Sequence, residues 1–241
     1  MKTLLLVLAL VALPVSAQRA RSQNFASDFQ TVPVMANVTG VNNVRFHSYV
    51  ALLNPTSSAF GVEATLYDAN GTTRTATIQL AAGEQKTYDN FLETIFQYSG
   101  GGAVTFRSPN ANNRFILGTE VRTTPGSYST MVPPLEFAGS SSRAFAEGVS
   151  VDATSRTNIG CFNQSALANT ISVTVYANNH VQVGTTSLSL APNAWGQTAI
   201  TAVVPNGYIQ FDPAEAAVCY AVVVSNATGD GRFINATEYL P

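Results

Sequence analysis

Apolar and polar positions alternate in short runs along most of this chain. Val62-Glu63-Ala64-Thr65-Leu66-Tyr67 alternates nearly to its end, and Ile171-Ser172-Val173-Thr174-Val175-Tyr176 does so more cleanly. A strand with one buried face has this period of two. Asp68-Ala69-Asn70-Gly71 and Asn178-Asn179 follow these runs and supply turn residues that tolerate positive φ. Residues 75–80 and 186–190 form the next runs, closed by Ala81-Ala82-Gly83 and Ala191-Pro192-Asn193. Further strands are predicted over 102–107 and 114–122, then over 207–211 and 217–225, with short final strands over 127–132 and 231–236. One stretch differs: residues 89–97 predict one or two helical turns with Phe91, Ile95 and Phe96 on one face. Its counterpart, 199–204, is shorter and less helical. No long amphipathic helical pattern occurs.

These runs come in two copies. Tyr49-Val50-Ala51-Leu52-Leu53-Asn54 returns as Asn158-Ile159-Gly160-Cys161-Phe162-Asn163, and Thr65-Leu66-Tyr67-Asp68-Ala69-Asn70 returns as Thr174-Val175-Tyr176-Ala177-Asn178-Asn179. A repeat on this scale predicts one domain twice. Some seven short strands in about 100 residues match the size of an immunoglobulin-like domain. The expected fold is therefore all-β, two tandem immunoglobulin-like β-sandwich domains. Trp195 is not at the core-Trp position of that family, so the pattern speaks for the architecture and not for membership. The expected limits are a flexible segment at 18–30, the first domain at 31–137, a Gly/Ser linker at 138–142 and the second domain at 143–241.

The first residues predict a cleaved secretory signal at 1–17. A positive Lys2, ten apolar residues from Leu4 to Leu13 and the small residues of Val15-Ser16-Ala17 form its three parts. The apolar run is shorter than the ~20 residues that cross a bilayer. Export in turn bears on Cys161 and Cys219, the two cysteines of the chain. An even pair in an exported protein predicts a disulfide, with two buried free thiols as the alternative. In the repeat alignment Cys161 falls on Leu52 and Cys219 falls near 115–117, both apolar. The expected bond joins an early strand to a late one across the two sheets, as in immunoglobulin domains.

Charged residues make up 11% of the chain and the net charge is −2. Lys2 and Lys86 are the only lysines, so no basic patch is available to neutralise phosphates and nucleic-acid binding is not expected. His47 and His180 occupy non-equivalent places in the two copies, and no nucleophile elbow, zinc-binding helix or phosphate loop is present. No enzyme, cofactor or metal site is expected. Asp68, Asp89 and Glu93, and Asp212 with Glu215, are carboxylate groups that calcium could use, but they lack the alternation of a calcium loop and read as solvated turn acids. Asn37, Asn70, Asn163, Asn226 and Asn235 fit the glycosylation triplet, which an Asn- and Thr-rich chain also produces by chance. Aromatic side chains that stack on sugar rings are the remaining candidates: Trp195, in the polar turn Asn193-Ala194-Trp195-Gly196-Gln197, then Tyr208 and Tyr88.

The motifs Val34 to Gly40, His47-Ser48-Tyr49, Leu53-Asn54-Pro55-Thr56, Ser155 to Gly160 with Asn163, and Thr228-Gly229-Asp230 before Phe233-Ile234 resemble an uncharacterised family of secreted bacterial immunoglobulin-like repeats. The resemblance implies a bacterial protein that is extracellular, surface-bound or periplasmic, with no catalytic residues to carry over. The expected function is a non-enzymatic structural or adhesion module whose partners are polysaccharide or other surface proteins. Two alternatives stand beside it. One is a carbohydrate-binding module with a line of exposed aromatics. The other is a filament subunit in which residues 23–34 add a strand to a neighbour.

Overall fold

The computed structural model describes residues 26–40, 43–125, 128–136 and 139–239. The expected signal peptide and residues 18–25 lie outside the described residues. Where described, the chain is nearly all β. The N-terminal half runs β1 (Phe29–Thr39), β2 (Arg45–Leu53), β3 (Phe60–Tyr67), β4 (Thr73–Leu80), β5 (Gln85–Tyr88), α1 (Phe91–Phe96), β6 (Gly100–Arg107), β7 (Ile116–Thr124) and β8 (Ser129–Met131). The C-terminal half runs β9 (Ala144–Val151), β10 (Ser155–Asn163), β11 (Asn169–Ala177), β12 (Gln182–Leu190), β13 (Trp195–Ala199), β14 (Val204–Pro213), β15 (Ala217–Ser225), β16 (Gly231–Asn235) and β17 (Thr237–Glu238).

The repeat extends to the strand pairing. The N-terminal half pairs its strands in the orders β4-β3-β6-β1 and β5-β2-β7-β8, and the C-terminal half in the orders β12-β11-β14-β9 and β13-β10-β15-β16. In the N-terminal half β1 also pairs β2 at Asn37↔His47, which joins its two layers into one continuous sheet. Each half has its own apolar core. Val50, Leu52, Leu66, Phe106 and Leu117 lie in the first, and Ile159, Cys161, Val173, Ile209 and Phe211 in the second. The alternating runs that signalled strands are the same positions that alternate between core and solvent, since successive side chains of a strand point to opposite faces.

Two features depart from the immunoglobulin plan. The second and fifth strands pair in one layer and the third and sixth in the other, as in an immunoglobulin domain. However, the first strand joins the sixth and the seventh joins the second, each on the sheet opposite to its immunoglobulin place. The disulfide follows from this. Cys161 and Cys219 are bonded, but they face each other on adjacent strands β10 and β15 of one sheet and do not bridge two sheets. The same register place in the N-terminal half is the pair Leu52↔Leu117.

The N-terminal segment also differs from expectation. Ser27 pairs with Phe115, and β1 pairs with β6 from Phe29 onward, so residues 27–30 belong to the sheet. From Phe29 to Val32 the segment is bonded to β6, and Thr31 is also bridged to Leu135, so these residues lie in the chain's own sheet. The Gly/Ser linker is likewise held: Ser140 pairs with Ala217. The helical turns over 89–97 form as α1, capped by the Asn90 side chain, with Phe91, Leu92 and Phe96 buried. No helix among the described residues is long and apolar enough to cross a membrane.

The two halves share packing. β15 carries Val218, Tyr220, Val222 and Val224 on one face and Cys219 and Ala221 on the other, so it is apolar on both sides. Tyr220, Trp195, Val222 and Phe233 pack into the core of the N-terminal half, and Tyr67 meets Phe162 with ring centroids 4.7 Å apart. The backbone N–H of Trp195 donates to the Asp68 carbonyl at 3.0 Å. The Thr130 hydroxyl donates to the Gly231 carbonyl at 2.7 Å.

Candidate functional site

An aromatic chain crosses the solvent face of the sheet β12-β11-β14-β9-β17. It begins with the turn after β11. Asn179 and His180 reverse the chain there, and His180 takes the left-handed backbone conformation that a tight turn demands. This sets the His180 ring parallel to Tyr176, with centroids 5.0 Å apart and planes 2° apart. Tyr176 stands opposite Tyr208 in the β11–β14 register, and their rings lie 5.0 Å apart. The His180 ring nitrogen Nδ1 also meets the Tyr208 hydroxyl. Phe145 on β9 continues the series, 6.1 Å from Tyr208, and Tyr239 follows at 6.3 Å. Tyr176, Tyr208 and Phe145 are half-buried, His180 is exposed, and Tyr239 is 58% exposed.

Polar groups border this series. Asp212 accepts hydrogen bonds from Arg143 Nε and Gln210 Nε2, both at 2.6 Å. The bond and the charge of Asp212 raise the Arg143 pKa from its ordinary value. Burial raises the Tyr208 phenol, and Tyr176 adds to the shift. Both groups therefore keep their neutral-pH states, the guanidinium charged and the phenol protonated. On the β12 side Thr174 and Ser172 stand opposite Thr185 and Ser187. The face thus offers ring faces and edges, hydroxyl groups, an amide and an ion pair side by side.

The three aromatic residues expected from the sequence go to different places. Tyr208 lies in this site. Trp195 does not: it begins strand β13, half-buried against the core of the N-terminal half. Its indole lies so close to Gly101 that a Cβ there would stand 2.7 Å from the ring. Tyr88 packs edge-on against Phe91 at 5.5 Å beside the first core. Desolvation, then the charge of Glu84, raises its phenol pKa. Tyr176, His180, Phe145 and Tyr239 were not singled out as ligand residues. The signal for Tyr176 was its match to Tyr67 in the repeat. The two copies then diverge, because Tyr67 packs on Phe162 and stands opposite Ala103, whereas Tyr176 stacks on His180 and stands opposite Tyr208.

The histidines do not meet. His47, nearly buried on β2, stands 3.8 Å from Asp89, which pairs with Arg122 at 3.2 Å. Arg122 lies over the Tyr49 ring, 3.6 Å from its centroid. Among the described residues, no three His, Cys, Asp or Glu side chains gather to hold a metal ion. No protein-family model matches the chain, and no curated protein matches it.

Proposed function

We propose that this chain is a non-enzymatic bacterial adhesion module, secreted or held at the cell surface, that binds polysaccharide on the aromatic face of its C-terminal half. The observation that carries the reading is the unbroken series His180-Tyr176-Tyr208-Phe145-Tyr239 on a solvent-facing sheet. Exposed aromatic clusters on a folded protein mark interaction surfaces. A pyranose ring lays its axial C–H bonds on an aromatic face and turns its hydroxyls outward, and the border of Gln210, Asp212, Arg143, Thr174 and Ser172 suits those hydroxyls. The resemblance to secreted bacterial repeats and the buried disulfide agree with an exported, extracellular place.

The test is a glycan array followed by retention on the best-bound polysaccharide. The native chain is expected to bind, and Tyr208→Ala and Phe145→Ala are each expected to weaken binding about tenfold, or about 1.4 kcal/mol. Trp195→Ala is the wrong probe, because Trp195 packs between the halves. Undiminished binding by both site variants, with folding intact, defeats the reading.

A further inference from the structure

A second site lies between the halves. A cleft of about 380 Å³ opens where the outer face of β15 and β16 meets the end of the N-terminal sandwich. One wall is Val34, Val38 and Phe46, and the other is Val222, Val224 and Phe233. Apolar side chains that packed fully would leave no such space, since protein interiors approach crystal density. Here small residues stand where bulk would close it. Ala36, Gly40, Gly229 and Gly231 all line the cleft. Gly40 is held to glycine because a Cβ would stand 2.7 Å from the Phe46 ring. The volume falls in the lower range of small-molecule sites, which are apolar, occur between domains and carry a few polar groups.

One of those polar groups is charged. Arg156 stands opposite Val224 in the β10–β15 register, and Asn158 stands opposite Val222 in the neighbouring row. Arg156 donates to Asn226 Oδ1 at 3.0 Å. Among the described residues it has no carboxylate in ion-pair reach, unlike Arg122 and Arg143. An apolar slot with one uncompensated guanidinium selects a molecule with an apolar body and an anionic head, because a carboxylate matches the planar fork of Arg.

We propose that this cleft binds a small anionic amphiphile, a medium-chain fatty acid or a carboxylate of similar shape. Its apolar chain lies between the valine walls, and its carboxylate sits at Arg156. This site is separate from the aromatic face and does not depend on polysaccharide binding.

The test uses the full chain with decanoate and with decan-1-ol as probes, followed by calorimetry and by the methyl NMR signals of the valines. Saturable decanoate binding is expected, with shifts at Val34, Val38, Val222 and Val224. Arg156→Gln is expected to weaken decanoate about tenfold and leave decan-1-ol unchanged. Ala36→Phe, which fills the slot, is expected to abolish both. The methyl shifts need no variant, so they decide the matter even if Ala36→Phe fails to fold. The proposal is overturned by the absence of saturable binding to the native chain. It is equally overturned by shifts confined to other residues, or by Arg156→Gln binding decanoate as the native chain does.

Discussion

Trp195 donates its indole N–H to the hydroxyl of Tyr220 over 3.1 Å, and both rings pack against the core of the opposite half. The Tyr220 hydroxyl in turn donates to Gln197 Oε1 at 2.9 Å. Burial drives the Tyr220 phenol far above its ordinary pKa, so it stays protonated and keeps that donation. Gly160 lies under the same ring, where a Cβ would collide with it. Tyr220 therefore anchors one half in the other. Tyr220→Ala is expected to cost about 3–5 kcal/mol. Tyr220→Phe, which leaves the indole N–H and Gln197 without their partner, is expected to cost about 1–2 kcal/mol. Urea denaturation measures both, and a Tyr220→Ala chain as stable as the native one would show that the two cores do not depend on each other.

The disulfide closes a sequence separation of 58 residues between buried positions. In the chain-entropy account such a loop stabilises by about 4 kcal/mol. Replacing both Cys161 and Cys219 by Ala is expected to cost at least that, since two core side chains also shrink. The loss should appear in the C-terminal half, as reduced protection of β10 and β15 amides in hydrogen exchange. The N-terminal half holds Leu52 and Leu117 at the same place, so its own β2–β7 pairing needs no disulfide.

Asn54 and Asn163 explain one invariant of the repeat. Both are fully buried. Asn54 donates to the carbonyls of Ser58 and Ala81, and Asn163 donates to those of Leu167 and Ala191, all at 2.8 Å. Each amide therefore ties the end of a strand to the connection that follows it and to the connection two strands further on. Asn163→Leu leaves those carbonyls buried without a donor and is expected to cost about 2–4 kcal/mol. Asn163→Asp keeps the shape but cannot donate, and should be no better. A thermal melt of each variant that overlays the native curve would refute this role.

Acid sensitivity should be visible at the β9–β10 turn. Asp152 accepts from the Thr154 hydroxyl and N–H, both at 2.7 Å, and from Ser155 N–H at 2.9 Å. These bonds, with the Thr154 hydroxyl first, lower its pKa from 3.8 to about 2. A carboxylate with a depressed folded pKa adds stability that is complete above the unfolded value and is lost as pH falls through the folded one. The turn is therefore expected to loosen between about pH 4 and pH 2. Thr154→Ala should raise the Asp152 pKa in a carboxyl NMR titration; an unchanged midpoint would rule out the hydroxyl as the main cause.

The aromatic face was only partly legible in the chain. Tyr208 could be named because tyrosine in a polar, strand-forming context is a candidate wherever it falls. Phe145 and Tyr239 could not, because they reach Tyr208 through the pairing of β9 with β14 and β17, contacts between segments far apart in sequence. Trp195 stands as a ligand candidate in the sequence because its immediate neighbours are polar, beside the reading that it covers the edge of the second core. Its burial depends on the other half, whose Gly101 and Asp68 approach it from more than ninety positions away.

What the sequence determined by itself was local and periodic: strands from the two-residue alternation, turns from Asn, Gly and Pro, a helical turn where Phe91, Ile95 and Phe96 recur, and two copies of one pattern. Those properties depend on neighbours within a few residues, so a linear reading reaches them. Tertiary structure alone decided which sheet each outer strand joined, and therefore that Cys161 and Cys219 face each other within one layer. It also decided that, of two equivalent tyrosines, Tyr67 would meet Phe162 and Tyr176 would stack with His180 and Tyr208. Apolar faces on β1 and β15 make some burial necessary. Only the docking of one half on the other selects the partner surface and leaves a cleft beside Arg156.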